Sequence, residues 1–476
     1  MYEDLKLYID GKFIIGSSGV NESVLNPSTN TILANVPFAK QHEMDVAIQS
    51  AQNGFIKWRR MSAFERSEIM HKAADLLRTR CDDISKSLTL EQGKINIEAK
   101  HEVMVSADVI DVLAEEGKRA YGRIIPPRVS GVRQMVLPEP LGIVAGFSPW
   151  NFPVSQAARK IGAALAAGCV IIIKCPEETP GSPVALVRCF HEAGIPSGVI
   201  NLIYGVASEL SEYLIPHPLI RKVSFTGSVP VGRRLASIAG IHMKRTTMEL
   251  GGHSPMLIFD DIDVEYVAIL TSNLKWRNAG QACISPTRFF VHEKIFDKFV
   301  AKFVDIAQGI RVGDGLDPNS QMGPLANARR VDFIESIIHD AVEKGAIIAS
   351  GGKRIETRGN YFEPTVLVNV SQKARIMCEE PFGPIAVILS FNDTDDVIDR
   401  ANRSPYGLAS YVFTHDTRRI EKIVDALECG MISINHQGIG IPETPFGGIK
   451  DSGYGHEQTI EGLQAYLSYK FVSGMS

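Results

Sequence analysis

The sequence predicts an α/β protein of two doubly wound domains with a small separate β element. Three observations predict it. Short apolar runs alternate with helical segments over 142–250, the alternation restarts after Gly252, and two strand-like stretches, 131–138 and 465–473, fit neither series. Alternation at this spacing argues for parallel sheets with crossover helices, the usual platform for a dinucleotide.

In chain order, residues 1–118 read as a strand segment followed mostly by helix, with helical spacing over about 43–80 and 96–116. Strands are then expected at 143–147, 170–174, 199–204, 222–225 and 247–250, with helices at 153–168, 182–193, 208–214 and 231–239. The apolar stretch 161–173 contains Gly162, Gly168 and Cys169, so it reads as a buried helix running into a buried strand, not a membrane span. The second series runs through strand 256–259, a helix to Trp276, a loop bearing Cys283, strand 288–291 and helix 296–309. Strands at 365–368, 385–389, 409–413 and 431–434 complete it.

At 476 residues the chain exceeds one ordinary core, so two or three domains are expected. A net charge of −4 offers no electrostatic case for nucleic acid or an anionic membrane as partner. Residues 1–12 are charged and lack the apolar core of a signal peptide. The seven cysteines are scattered with no CxxC pair, which signals neither a disulfide framework nor a metal site and suits a reducing cytoplasm.

Chemistry concentrates in two runs. Cys283 lies in Asn278-Ala279-Gly280-Gln281-Ala282-Cys283, and Glu249 lies in Met248-Glu249-Leu250-Gly251-Gly252. Small residues surround both side chains, so a substrate can approach a thiol and a carboxylate closely. That pairing suits a covalent route in which the thiol attacks a carbonyl and the carboxylate later activates water. The simpler alternative for Glu249 is a strand-end carboxylate paired with Lys244 or Arg245. No GxGxxG follows a strand; Phe225-Thr226-Gly227-Ser228-Val229-Pro230-Val231-Gly232 forms a strand-to-helix turn instead. Its glycines are spaced as in a P-loop, but Arg233-Arg234 replaces the Lys-Ser/Thr that a nucleotide triphosphatase needs.

These runs, with Pro149-Trp150-Asn151-Phe152-Pro153, Lys174-Cys175-Pro176-Glu177, Glu380-Pro381-Phe382-Gly383 and Pro445-Phe446-Gly447-Gly448, resemble the aldehyde dehydrogenase superfamily over nearly the whole chain. The resemblance implies an aldehyde dehydrogenase-like fold. Residues 1–118 and 140–248 would bind NAD, 249–445 would be catalytic, and 119–139 with 465–476 would form an oligomerisation element. An exposed edge of that last type commonly pairs with a partner chain, so a homodimer or homotetramer is expected. It implies Cys283 as nucleophile and Glu249 as the base that hydrolyses the thioester. Asn151 and the Cys283 N–H would be oxyanion donors, although Asn151 could also simply cap the next helix. Trp150, Lys174, Glu177, Gly227, Ser228, Glu380 and Phe382 would hold the cofactor, with Ser228 and the helix N-terminus facing its pyrophosphate. Glu177 would repel a 2′-phosphate, which favours NAD over NADP.

Arg159, eight residues after Asn151, and Arg277, six before Cys283, stand beside these motifs. Eight residues is about two helical turns, so Arg159 can face the same cleft. The pair resembles semialdehyde dehydrogenases whose substrates carry a distal carboxylate, which two guanidinium groups bind through charge-assisted hydrogen bonds. The neighbouring segments look closest to 2-oxoglutarate semialdehyde dehydrogenases. Succinate semialdehyde enzymes usually place a serine before Pro-Phe-Gly-Gly, where this chain reads Gly440-Ile441-Pro442-Glu443-Thr444. Two other readings stand beside this one: a broad-specificity aldehyde dehydrogenase with structural arginines, and a non-catalytic protein on the same fold.

Overall fold

A computed structural model describes residues 2–17, 19–355 and 358–475; Met1, Ser18, 356–357 and Ser476, which fall within the expected segments, lie outside the described residues. An eight-stranded sheet runs in the order Lys12–Ile14, Leu7–Ile9, Ile200–Ile203, Val170–Lys174, Ile143–Phe147, Ile220–Thr226, Arg245–Glu249, Gly453–Tyr454. Its five central strands are parallel and its edges antiparallel. Ile143–Phe147, Val170–Lys174 and Ile200–Ile203 are buried throughout, as continuous apolar runs in a sheet covered on both faces should be. Strand order reverses beside Ile143–Phe147, since the next two strands step to one side and Ile220–Thr226 returns on the other. A crevice therefore opens outside the carboxyl ends of these two strands, where Trp150, Asn151, Gly227 and Ser228 emerge.

A seven-stranded sheet follows, in the order Ile347–Ser350, Thr365–Val368, Ile385–Phe391, Pro286–His292, Ser254–Ile258, Ala409–Phe413, Met431–Ile434. All neighbours are parallel except the first pair. Glu249 ends a strand of the first sheet and Ser254 opens one of the second. Cys283 precedes Pro286–His292, the neighbour of Ser254–Ile258. The carboxyl edge of one sheet thus meets the amino edge of the other at these residues.

The helix Pro153–Ala166 is buried on every side, which its small and apolar sequence permits. Its only two charged residues are Arg159 and Lys160. Consecutive residues point about 100° apart around a helix, so the two cations serve different surroundings.

Several local expectations are corrected. The stretch 43–80 is two helices, Gln41–Trp58 and Ala63–Thr79. Ser62 breaks it: its hydroxyl accepts from the Glu65 N–H at 3.2 Å while the Glu65 carboxylate accepts from the Ser62 N–H at 2.7 Å. The N-terminal strand segment is two antiparallel pairs, Leu7–Ile9 with Lys12–Ile14 and Asn21–Leu25 with Ile32–Pro37. Helix Cys81–Gln92 lies within the stretch read as mostly helical, whereas helices Ala328–Glu343, Thr394–Asn402 and Thr417–Ala426 were not anticipated. The two stretches that fit neither series pair with each other: Leu467–Met475 lies antiparallel to Val132–Pro140, with Arg123–Ile125 beyond it. Ile124, Tyr469, Phe471 and Met475 of this sheet are exposed. No described helix is long and apolar enough to cross a membrane.

Candidate active site

The Cys283 loop begins where helix Val264–Trp276 stops. Asn278, Ala279 and Gly280 all adopt left-handed backbone, with φ of 50°, 51° and 71°. For two non-glycine residues this conformation is unfavourable and must be over-determined by contacts. Those contacts are present. The Asn278 N–H donates to Glu98 Oε2 at 3.0 Å, and Asn278 Nδ2 donates to the Asn151 carbonyl at 3.1 Å. Gln281 Nε2 donates to the Asn278 carbonyl at 3.0 Å, and Lys275 Nζ to Ser285 Oγ at 3.2 Å. A methyl on Gly280 would lie 2.1 Å from the Gly383 carbonyl oxygen, so only glycine fits. The turn presents Cys283 half-buried at a cavity wall.

Glu249 is buried, and neither carboxylate oxygen makes a hydrogen bond. The simpler alternative for it fails. Lys244 Nζ donates to the carbonyls of His217 and Ile220, and Arg245 Nη1 to that of Leu467. Burial pushes the Glu249 carboxyl well above the usual carboxylate range; Glu457 adds to this, while Lys160 and Arg159 oppose it. Glu457 in turn accepts a hydrogen bond from Lys160, which also donates to Thr226 Oγ1 at 2.6 Å. Burial likewise pushes the Cys283 thiol up to about 12, with Glu380 and Glu249 adding and Arg159 opposing. The sulfur therefore carries its proton at neutral pH and needs a nearby base to become a nucleophile. A methyl on Gly252 would sit 2.1 Å from the Cys283 carbonyl oxygen, and one on Gly251 2.5 Å from Glu380 Oε2. Bare backbone at both positions lets the carboxylate strand, the cysteine loop and Glu380 converge.

The cavity that Cys283 borders has a volume of about 520 Å³. Arg159 and Phe152 face it from one side, Arg277 and Ile284 from another, and Glu98 and His101 from helix Asn96–Lys118. Ile439, Ile441, Pro442 and Phe446 close it with an apolar wall. Arg159 is 7 % exposed, and its Nε and Nη1 have no hydrogen-bond partner. Its guanidinium stacks 4.2 Å from the Phe446 ring, and that of Arg277 lies 5.4 Å from Phe152. Both arginines and the cysteine thus share one cavity. Asn151 stands behind the wall, its side-chain amide donating to the Gln281 carbonyl at 3.1 Å.

On the crevice side, Ser228 sits at the N-cap of helix Val229–Ile241 and its hydroxyl does not cap the helix, which leaves the first-turn N–H groups open. A methyl on Gly227 would meet the Phe225 ring at 2.5 Å. Lys174 Nζ donates to Glu177 Oε2 at 2.7 Å, and the Gly205 N–H to Glu177 Oε1 at 3.2 Å. Glu22 stands close by, its carboxyl raised by burial and then by Glu177 and Glu178. Glu380 accepts from the Gly252 N–H at 2.9 Å, and burial pushes its carboxyl up to about 7. Phe382, at φ of 44°, meets Trp150 edge-on at 5.5 Å. These residues lie about the carboxyl ends of the parallel strands, where the strand order reverses. That position suits a dinucleotide.

Sequence reasoning missed Glu98, His101, Glu102, Lys160 and Glu457; it singled out the Phe446 run but not its contact with Arg159. Glu98 and Glu102 gave no distinguishing signal, since the same helix also bears Asp108, Asp111, Glu115 and Glu116. Glu457 carried none.

The aldehyde dehydrogenase family matches this chain over residues 14–472. A 4-(hydroxymethyl)benzenesulfonate dehydrogenase of Comamonas testosteroni is 43% identical, over 99% of this chain and 98% of its own length. An NADP(+) succinate-semialdehyde dehydrogenase of Escherichia coli is 39% identical, over 98% of this chain and 96% of its own. The crystal structure of a succinate-semialdehyde dehydrogenase from Burkholderia pseudomallei superposes with a TM-score of 0.97 at 38% identity, covering 100% of this chain and 98% of that one.

Proposed function

The chain belongs to the aldehyde dehydrogenase family and is an oxidoreductase acting on aldehydes; from that premise we propose that its substrate is a semialdehyde with a distal carboxylate, oxidised to the acid through a Cys283 thioester with NAD as cofactor. The observation that carries this reading is Arg159. A buried guanidinium with two unpaired N–H donors beside a cavity is costly unless an anion completes it. Arg277 faces the same space, so a carboxylate there gains two charge-assisted partners. 2-Oxoglutarate semialdehyde and succinate semialdehyde are the substrates that fit the pair.

In this reading Cys283 loses its thiol proton to water in the cavity, and the thiolate Sγ attacks the aldehyde carbon. The resulting oxyanion takes hydrogen bonds from the Cys283 N–H and from the Asn151 amide once that amide leaves the Gln281 carbonyl. The nicotinamide, when bound, supplies the hydride acceptor. Trp150, Lys174, Glu177, Gly227, Ser228, Glu380 and Phe382 would hold the cofactor. Glu249, ionised at this stage, takes a proton from the water that hydrolyses the thioester, and the carboxylate Glu457 lies beyond it. Glu22, Glu177 and Glu178, only partly offset by Lys174 and Arg329, disfavour a 2′-phosphate, which supports NAD despite the NADP(+) specificity of the E. coli relative. The exposed apolar strip of Ile124, Tyr469, Phe471 and Met475 supports assembly as a homodimer or homotetramer.

A second reading has its own support. The cavity, at about 520 Å³, falls within the roughly 300–1,000 Å³ that accommodates drug-sized ligands. Its Phe152, Phe446 and Pro442 wall suits an aryl aldehyde with a distal sulfonate, in line with what the Comamonas relative acts on. The test is a substrate panel followed by NADH absorbance, comparing plain aldehydes, semialdehyde acids of graded length and a formylbenzenesulfonate, each with NAD and NADP. The highest kcat/KM should fall to a semialdehyde acid with NAD. Equal values for charged and uncharged aldehydes would instead identify a broad-specificity enzyme.

A further inference from the structure

We propose that Lys94 is a positioning residue for the oxidation: its buried ammonium ties the main chain at Asn151 to the Glu102 carboxylate, which in turn holds the first turn of the helix bearing Arg159. The inference rests on the reading of Asn151 as an oxyanion donor and extends it to what keeps that donor in place.

The side chains of Lys94 and Glu102 are 0% and 1% exposed. Lys94 Nζ donates to Glu102 Oε2 at 2.6 Å and to the Asn151 carbonyl at 2.7 Å, and sits 4.0 Å from the centre of the Phe152 ring. Glu102 Oε1 accepts from the N–H groups of Val154 and Ser155 at 3.0 and 3.2 Å. The helix they begin has no cap of its own. Phe152 offers no side-chain acceptor, and Pro153 has no N–H to satisfy. The first two N–H groups that need an acceptor are therefore the ones Glu102 takes, and its negative charge suits the positive end of the helix.

The second lone pair of the Asn151 carbonyl accepts from Asn278 Nδ2, within the left-handed turn that presents Cys283. One peptide oxygen thus joins Lys94, the oxyanion donor and the nucleophile loop. Asn151 and Arg159 come from one segment and Cys283 from another, and this node ties the two segments together. Burying an ion pair is a poor way to gain stability, since apolar residues of equal volume often serve as well. What Lys94 and Glu102 provide instead is direction: each bond aims a specific backbone group.

The experiment is a double-mutant cycle between Lys94→Met and Asn151→Ala, read as kcat and KM for a charged and an uncharged aldehyde, with NAD dissociation constant and Tm measured alongside. Misplacing a reacting group by about 1 Å can cost on the order of a hundredfold. Lys94→Met should therefore lower kcat about ten- to a hundredfold for both aldehydes, well below its Tm, with NAD affinity unchanged. In the Asn151→Ala background the same change should lower kcat by a clearly smaller factor than in the wild type, because the donor amide it positions is gone while the braced Cys283 loop remains. An unchanged kcat, or an equal loss in both backgrounds, overturns the inference while leaving the Asn151 role intact. Full turnover by Asn151→Ala alone refutes that role and this inference with it. Should Lys94→Met fail to fold, Glu102→Gln enters the same cycle: its carbonyl still accepts from Val154 and Ser155, but its NH₂ faces the Lys94 ammonium, and the same outcomes decide.

Discussion

Two buried lysine–glutamate pairs flank the cysteine, and they are built differently. In Lys94–Glu102 both carboxylate oxygens and the ammonium are bonded, to each other and to backbone groups of the Asn151 segment. In Lys160–Glu457, Glu457 keeps one oxygen without a partner, and neighbouring Glu249 has two. A fully bonded pair resists displacement and fixes geometry. A partly bonded one, facing a second carboxylate across a dry interior, fixes little but makes both carboxyls sensitive to where a proton resides. In the proposed reading the first pair acts as a strut for the oxyanion donor, and the second, with Glu249, as a store for a proton. The contrast matches the two demands of thioester chemistry, a rigid donor for a charge that appears briefly and a group whose protonation changes during each cycle.

The largest expected effect removes the group that both pairs serve. Cys283→Ser should lower aldehyde oxidation by more than about 10³-fold, since an alkoxide is far harder to form than a thiolate, while NAD binding measured by fluorescence titration stays close to normal. Near-normal turnover would make the comparison pointless, because neither pair would flank the chemistry.

Glu249→Gln comes next, with a loss of about 10²–10⁴ in steady-state turnover, the usual worth of a general base. The first turnover should still release a burst of NADH, and mass spectrometry should find the acyl group on Cys283. A missing burst would move Glu249 to thiol activation and weaken the contrast drawn above.

Replacing Arg159 or Arg277 with Leu should cost about ten- to a hundredfold in kcat/KM for a semialdehyde acid, from roughly 1.5–3 kcal/mol per charge-assisted hydrogen bond. An uncharged aldehyde should be little affected. The double variant should lose less than the product of the singles, as both act on one anion. Equal losses for both aldehydes would mean that the arginines support only the fold.

The smallest effect separates the two pairs most cleanly. Deacylation should rise with pH as Glu249 sheds the proton that burial and Glu457 help it hold. Glu457→Gln removes a negative neighbour and leaves Lys160 unopposed, so this limb of the pH–rate profile should move to lower pH. Glu102→Gln should lower the rate without moving the limb. The folding signature has a defined sign. The Glu249 carboxyl is raised in the folded state, so its contribution to stability is full below the ordinary carboxylate range and is lost as pH rises through the raised value. Tm of the wild type should fall across that window, and that of Glu249→Gln should fall less.

What could be read in advance follows from how local each feature is. The Cys283 and Glu249 runs, the 227–228 turn and the parallel strand series are written in contiguous residues, and the expected family and fold class follow from them. The helix break at 59–62 was also legible, as a Ser62-to-Glu65 capping box, but the periodicity on either side masked it. The contacts across the cavity were not legible. Phe446 meets Arg159 from a distant segment, and Glu457 meets Lys160 across 297 residues. Lys160 was adjacent to a residue already singled out, yet its role depends on a partner that no local pattern announces.

The left-handed turn at 278–280 has a further consequence. If Arg277 takes the substrate's tail as proposed, this short, braced piece of backbone between Arg277 and Cys283 would set the span from tail to reacting carbon. Arg159 belongs to a different segment and rests on Phe446, in the glycine- and isoleucine-rich loop 438–446. In that reading, a search for altered length selectivity should vary 438–446 and leave 277–283 alone.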